Sequence, residues 1–206
     1  MFLQLLADFL SVVTVTLCFV LKIPQILNLL KLKSAVGISL YGLLLELTSY
    51  TVMTSYNYTN NYALLSYLEY PVILVQEYVL IFLVLKYLNR VNGKMILAAV
   101  AYFVLFACFL LRVIPKVTLT FLAPMCTPIS ASSKVMQLLT ILRAKNADSV
   151  SVLTWLISAF TNLTRVYTIW MDSADALLLG NFVISVTLSA SIMFTAMYYQ
   201  RPVKQD

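Results

Sequence analysis

The chain contains no histidine and only four glycines, and just 11% of its 206 residues are charged. Without histidine it lacks the commonest general acid–base group and metal ligand near neutral pH. Scarce glycine goes with the absence of a Gly-x-Ser-x-Gly elbow and of any phosphate loop, so the usual hydrolase and nucleotide-binding machinery is excluded. Composition leaves one catalytic class open, an intramembrane carboxylate enzyme; the expectation is a protein that is not an enzyme and holds no cofactor and no metal. Cys18, Cys108 and Cys126 are odd in number, lie inside apolar runs and lack the paired spacing of metal sites or disulfide frameworks, so they read as reduced packing residues. The net charge of +6 does not imply nucleic acid, because Lys and Arg sit in short segments between apolar runs and form no extended basic face.

What the chain does have is apolar surface. At 62% hydrophobic residues and a mean hydropathy of +0.92, it carries far more than a soluble domain of this size can bury, which assigns it to a bilayer. One stretch organises it: Lys22-Ile23-Pro24-Gln25, followed by Ser34-Ala35-Val36-Gly37-Ile38-Ser39. A proline inside a membrane-length helix removes a backbone hydrogen bond and costs about 3 kcal/mol, so its setting needs an explanation. Shifted by 112 positions, Lys22 falls on Lys134, Gln25 on Gln137, Lys33 on Lys145, Ala35 on Ala147 and Ser39 on Ser151. Between Lys22 and Leu44 eight of twenty-three gap-free positions are identical, which marks an internal duplication.

The Lys-x-Pro-Gln motif, the Ser-Ala-x-Gly-x-Ser tail and the degenerate second copy resemble the PQ-loop repeat family of seven-helix membrane proteins, solute carrier family 66, and the resemblance covers nearly the whole chain. Leu44-Leu45-Glu46-Leu47, Tyr67-Leu68-Glu69-Tyr70-Pro71 and Leu153-Thr154-Trp155 add to it. A related branch comprises the mannose-P-dolichol utilization proteins. The resemblance implies a hinge at Pro24; in the second copy Met136 stands where the proline belongs.

The first apolar run, from about Gln4, carries Asp8 in place of a basic leader and has no small-residue cleavage pattern, so a retained helix is expected. At about 20 residues per span, seven spans are read, over 4–30, 38–56, 64–86, 95–112, 117–142, 150–170 and 177–199. The expected fold is therefore an all-α membrane protein of 3+1+3 architecture. A first three-helix repeat (4–86) and a second (117–199) are related by an axis along the membrane normal, with 95–112 as connector. Nine basic residues fall on one side (Lys31, Lys33, Lys86, Arg90, Lys94, Arg143, Lys145, Arg201, Lys204) and only Arg112 and Lys116 on the other. The positive-inside rule then puts the N-terminus in the lumen or outside the cell and the C-terminus in the cytosol. Asn57-Tyr58-Thr59, an N-glycosylation sequon, falls in a loop on the lumenal side, as do Asp172 and Asp175.

Three basic and three acidic residues remain at membrane depth: Lys22, Lys134, Arg165, Glu46, Glu69 and Glu77. A charge at a helix centre costs about 2.5–3.5 kcal/mol on insertion scales, so each must pair, snorkel, protonate or line water. Lys22 and Lys134 lie near the cytosolic interface, where they either snorkel or contact a gate beside Gln25 and Gln137. Glu46 is at a depth to pair with Lys22, and its counterpart in the second copy is Ser158. Ser158, Asn162 and Arg165 follow i, i+4, i+7 spacing on one stripe, which suits either a structural hydrogen-bond network or a substrate face. In the third span Glu69 and Gln76 are nearly in line, with Glu77 about 80° round the helix. Glu69 maps onto Asn181 in the seventh span. The expected substrate site is one polar cavity in the lumenal half formed by Glu69, Gln76, Asn162, Arg165 and Asn181, with Glu77 deeper on its edge, while Lys22, Pro24, Gln25, Glu46, Lys134 and Gln137 form a hinge and gate. A Glu69–Arg165 pair at such a site is compatible with a static ion pair and with a proton-binding element.

Duplication, polar stripes and resemblance together point to a small-solute transporter working by alternating access. The resemblance to the mannose-P-dolichol utilization branch implies a second reading, a non-transport endoplasmic-reticulum factor that assists use of dolichol-linked sugars. A membrane scaffold without ligand is the third. The partners expected are the lipid bilayer and a small-molecule or lipid-linked substrate, and the location an endomembrane, endoplasmic reticulum or lysosome, rather than the plasma membrane. The last residues, Arg201 to Asp206, carry neither a Lys-Asp-Glu-Leu signal nor a tyrosine or dileucine sorting pattern.

Overall fold

The computed structural model describes residues 2–62, 67–172 and 176–200. Residues 64–66 of the third expected span, Asp175, Arg201 and Lys204 lie outside the described residues. Among the described residues all regular structure is helical: α1 (Phe2–Cys18), α2 (Ile23–Leu32), α3 (Leu40–Thr59), α4 (Glu69–Tyr87), α5 (Gly93–Leu110), α6 (Lys116–Leu122), a 3₁₀ turn (Ala123–Met125), α7 (Cys126–Ala144), α8 (Val152–Asp172) and α9 (Ala176–Tyr199). Four stretches of the described residues are long and apolar enough to cross a bilayer: Val12–Leu32, which runs from α1 into α2, Glu69–Tyr87, Gly93–Leu110 and Leu179–Tyr199. The remaining long helices, α3, α7 and α8, are more polar because they supply most of the groups that meet in the interior.

The first expected span, 4–30, is not one helix. It breaks over residues 19–22, two to five positions ahead of Pro24, and the proline falls in the first turn of α2. The reason is local. A helical proline would clash with the carbonyl four residues back, that of Val20, and would leave it without a donor. Here the chain tightens instead: the Ile23 N–H takes the Val20 carbonyl at 3.1 Å and the Val20 N–H takes that of Leu17 at 3.1 Å. At N1 or N2 of a helix a missing N–H costs nothing, since that donor would be unpaired anyway. By contrast α7 runs unbroken through Met136, and the second half bends earlier, at the 3₁₀ turn that contains Pro124.

The helices pack α3 against α4 and α7, α1 against α8, and α9 against α7 and α8, while α5 leans on α3 and leaves most of its surface exposed. Tyr102 anchors α5 through Thr51 (2.5 Å) and Tyr78 (3.0 Å). A buried cluster that includes Leu29, Leu43, Val84, Ile141, Trp155 and Ile192 fills the end near Pro24. Since lipid is as apolar as leucine, close packing and interhelical hydrogen bonds hold such helices together rather than hydrophobic transfer. Gly37 shows how tight the fit is: its φ is +83°, and a Cβ there would lie 2.5 Å from the Asn146 carbonyl oxygen.

Candidate functional site

The two Pro-Gln copies build one layer of reciprocal contacts. Gln25 donates to the Ser149 carbonyl (2.7 Å) and accepts from the Ser151 N–H (2.5 Å). Gln137 donates to the Gly37 carbonyl (2.7 Å) and accepts from the Ser39 N–H (2.8 Å). Every atom of the second set is the first displaced by 112 positions. Each glutamine brackets the loop that follows the other copy, at the entry to α8 or α3. The surroundings repeat as well. Lys33 and Lys145 end α2 and α7 in left-handed conformations, with φ of 52° and 47°. Ser39 and Ser151 accept from the N–H groups of Gly42 and Thr154, at 3.0 and 3.2 Å.

Lys22 lies one turn below this layer. Its ammonium does not snorkel: it is buried, pairs with the Glu46 carboxylate and lies 3.1 Å from a Glu77 oxygen. The Ser133 hydroxyl donates to the other Glu46 oxygen at 3.3 Å. Glu77 is fully buried, and its contact with Lys22 is one of charge, without hydrogen-bond geometry. Glu77 therefore belongs to this cluster and not to the rim of the cavity where it was expected. Gln76 is a second correction. It accepts from the Lys22 N–H (2.8 Å) and donates to the Cys18 carbonyl (2.9 Å), so it satisfies two backbone groups freed by the break ahead of Pro24 and does not line the cavity. Its counterpart is Leu188, in the half where the equivalent helix is unbroken and needs no such stitch.

Between the halves lies a cavity of about 480 Å³. Lys22, Glu46 and Lys134 line it near the glutamine layer, and Glu69, Asn162, Arg165 and Asn181 line it further out. The Arg165 guanidinium donates to Glu69 at 2.5 Å, joining α8 of the second half to α4 of the first. The Asn162 amide donates to the Ser158 carbonyl of its own helix at 2.6 Å. Toward the glutamine layer the space contracts to a void of about 20 Å³ beside Lys22, Gln25, Glu46 and Gln137, room for about one water. Of the residues expected to share one cavity, Glu69, Asn162, Arg165 and Asn181 do; Lys134, read only as part of the gate, joins them.

Apart from Ser158, the hydroxyl groups on the wall are not marked by the stripes read from the sequence. Thr127, Ser130 and Lys134 of α7 follow i, i+3, i+7 spacing and all face the cavity, a polar stripe that periodicity would have exposed. Ser49 and Ser130 meet at 2.9 Å, and Thr14 meets Thr164 at 2.6 Å, so small hydroxyl side chains add two more contacts between the halves. The sequon is also placed differently from expectation. α3 continues to Thr59, the Asn57 amide donates to the Met53 carbonyl at 2.7 Å, and Thr59 is buried and bonds the Ser55 carbonyl at 2.8 Å. Asn57 thus sits in a helical turn and not in a loop.

Residues 6–66 match the PQ loop repeat. The chain is 34% identical over 188 residues to solute carrier family 66 member 3 of Homo sapiens, an alignment that covers 91% of each chain. No solved structure matches.

Proposed function

This chain belongs to solute carrier family 66, the multi-pass membrane proteins built on PQ-loop repeats, and from that membership we propose that it is a small-solute transporter working by alternating access between two three-helix bundles. The bundles are α1–α4 and α6–α9, and α5 is the connector. One observation carries the reading: a charged cavity of about 480 Å³ lies between the halves and narrows, at the Pro-Gln end, to a layer bridged by four reciprocal glutamine bonds, beside which the Asn28 amide donates to the Asp148 carbonyl (3.1 Å) and the Ser149 hydroxyl to the Ser34 carbonyl (2.5 Å). A scaffold without ligand would be expected to pack its interior dry, because each ionisable group left in the membrane interior is costly.

In this reading the glutamine layer is the cytosolic gate, the Glu69–Arg165 pair is a lumenal contact that must part when the cavity opens on that side, and the broken segment 19–22 is the hinge. Pro24 sets the hinge without being its pivot, since it prevents α1 from continuing and leaves the bend to residues whose backbone Gln76 stitches from α4. The basic residues put the N-terminus on the lumenal or extracellular side, and the membrane is taken to be an endomembrane. The test is uptake into proteoliposomes against a panel of amino acids, sugars and organic acids, comparing the wild type with Glu69→Gln. A solute accumulated by the wild type and lost in the variant supports the reading; equal, background uptake of every solute by both refutes it.

A further inference from the structure

One departure between the two copies leaves a charge without a partner. The 112-residue offset carries Lys22 onto Lys134, Glu46 onto Ser158 and Glu77 onto Ser189. In the first copy the ammonium is flanked by two carboxylates. In the second both acids are serines, whose hydroxyls lie 3.2 Å apart, and the Lys134 ammonium makes no ion pair among the described residues. Glu46, the acid that acts on Lys134 through space, is already held by Lys22 and by the Ser133 hydroxyl. Lys134 nevertheless lines the cavity, together with Thr154 and Ser158, which stand one turn apart on α8. The Thr154 hydroxyl is buried with no hydrogen-bond partner among the described residues.

A cation kept at membrane depth without its counter-charge is costly unless something supplies that charge. A buried hydroxyl without a partner has the same need on a smaller scale. We propose that Lys134, Thr154 and Ser158 form an anion subsite, so that the solute carries a carboxylate or phosphate group that docks where the first copy places its own glutamates. This rests on the transport reading for the word solute, but the subsite itself is a binding claim. The three side chains supply donors, and the Glu46 carboxylate, which lines the cavity on the Lys22 side, repels a second anionic group and so orients the ligand.

The experiment is thermal stability of the full chain in nanodiscs, titrated with inorganic phosphate, acetate, glycerol and ethanolamine, and separately with a polyprenyl phosphate incorporated in the bilayer. Four proteins are compared: wild type, Lys134→Gln, Ser158→Glu and, as a control at an exposed position, Lys31→Gln. Ser158→Glu restores the carboxylate of the first copy, so it should fold at least as stably as the wild type without ligand and yet bind anions at least tenfold more weakly. Lys134→Gln should lose the same anion response, Lys31→Gln should keep it, and glycerol and ethanolamine should respond equally in all four. Phosphate or acetate acting alone identifies a soluble anion, and the polyprenyl phosphate acting alone a lipid-linked one; either outcome supports the subsite. Failure of every anionic probe to stabilise the wild type, or an undiminished anion response in Ser158→Glu, overturns it. Anion binding without uptake in vesicles would leave the subsite standing and remove the transport reading; uptake of neutral solutes alone would do the reverse.

Discussion

Cutting one glutamine bracket should cost the same whichever copy is cut. Gln25→Leu keeps most of the side-chain volume but leaves the Ser149 carbonyl and the Ser151 N–H without their partner, in a layer where Gln25 itself is only 5% exposed. Gln137→Leu does the same to the Gly37 carbonyl and the Ser39 N–H. Interhelical hydrogen bonds in membranes average about 0.6 kcal/mol with a maximum near 1.7, and an unsatisfied buried group costs about 1–3, so two bonds at a buried backbone put the loss at about 1–3 kcal/mol per variant. The assay is thermal or denaturant unfolding in detergent, followed by size-exclusion of the remaining monodisperse protein. The two variants should agree within about 1 kcal/mol, and each should lower stability. A Gln25→Leu protein as stable as the wild type, or a loss confined to one copy, would refute the claim that the brackets are equivalent structural bonds.

Three further outcomes follow from the geometry. Arg165→Ala should lose about 1–3 kcal/mol, less than the 3–5 of a fully buried pair because the two side chains keep 28% and 17% of their exposure, and adding Glu69→Ala should restore part of it in the same unfolding assay. Lys22→Met strands two carboxylates and should cost about 3–5 kcal/mol, whereas Lys134→Met, which strands none, should cost under about 1; equal losses in an unfolding titration would contradict the asymmetry between the copies. Gly37→Ala should destabilise by at least about 1–2 kcal/mol from its left-handed backbone alone, while Gly93→Ala, with nothing within 4 Å of its added Cβ, should be neutral or slightly stabilising by melting temperature.

Most of the helix plan was readable because apolar runs of membrane length have few alternatives, and the expected limits of the second, fourth, sixth and seventh spans lie within about three residues of the helices. The offset was equally readable: it equates Gln25 with Gln137 and Ser39 with Ser151, residues that hold corresponding places in the glutamine layer, but not the contacts each glutamine makes with the other copy's loop. The break at 19–22 was less so. Sequence marks Pro24, but the strain acts on the carbonyl four residues earlier, so the disruption appears upstream of its cause. Gln76 and Glu77 show a second limit. A polar residue on a membrane helix has to face something, and periodicity gives its direction without saying whether that is a cavity, a freed backbone group or a buried lysine. The loop expected around Asn57 is absent for a simpler reason: α3 runs three residues past the expected end of its span at 56, and Asn57 and Thr59 satisfy themselves on carbonyls of their own helix.

Relative motion of the two halves at the glutamine layer is the centre of the account, and spin labels report it directly. Leu30 and Leu142 are equivalent by the offset, exposed, and carried by α2 and α7, so labels at Leu30→Cys and Leu142→Cys, with Cys108→Ala removing the most accessible native thiol, sample the gate without entering it. Double electron–electron resonance in nanodiscs should resolve two distances, and the longer one should gain population when Gln25→Leu and Gln137→Leu cut the brackets. A single distance, unchanged by loss of both glutamines, would contradict the account.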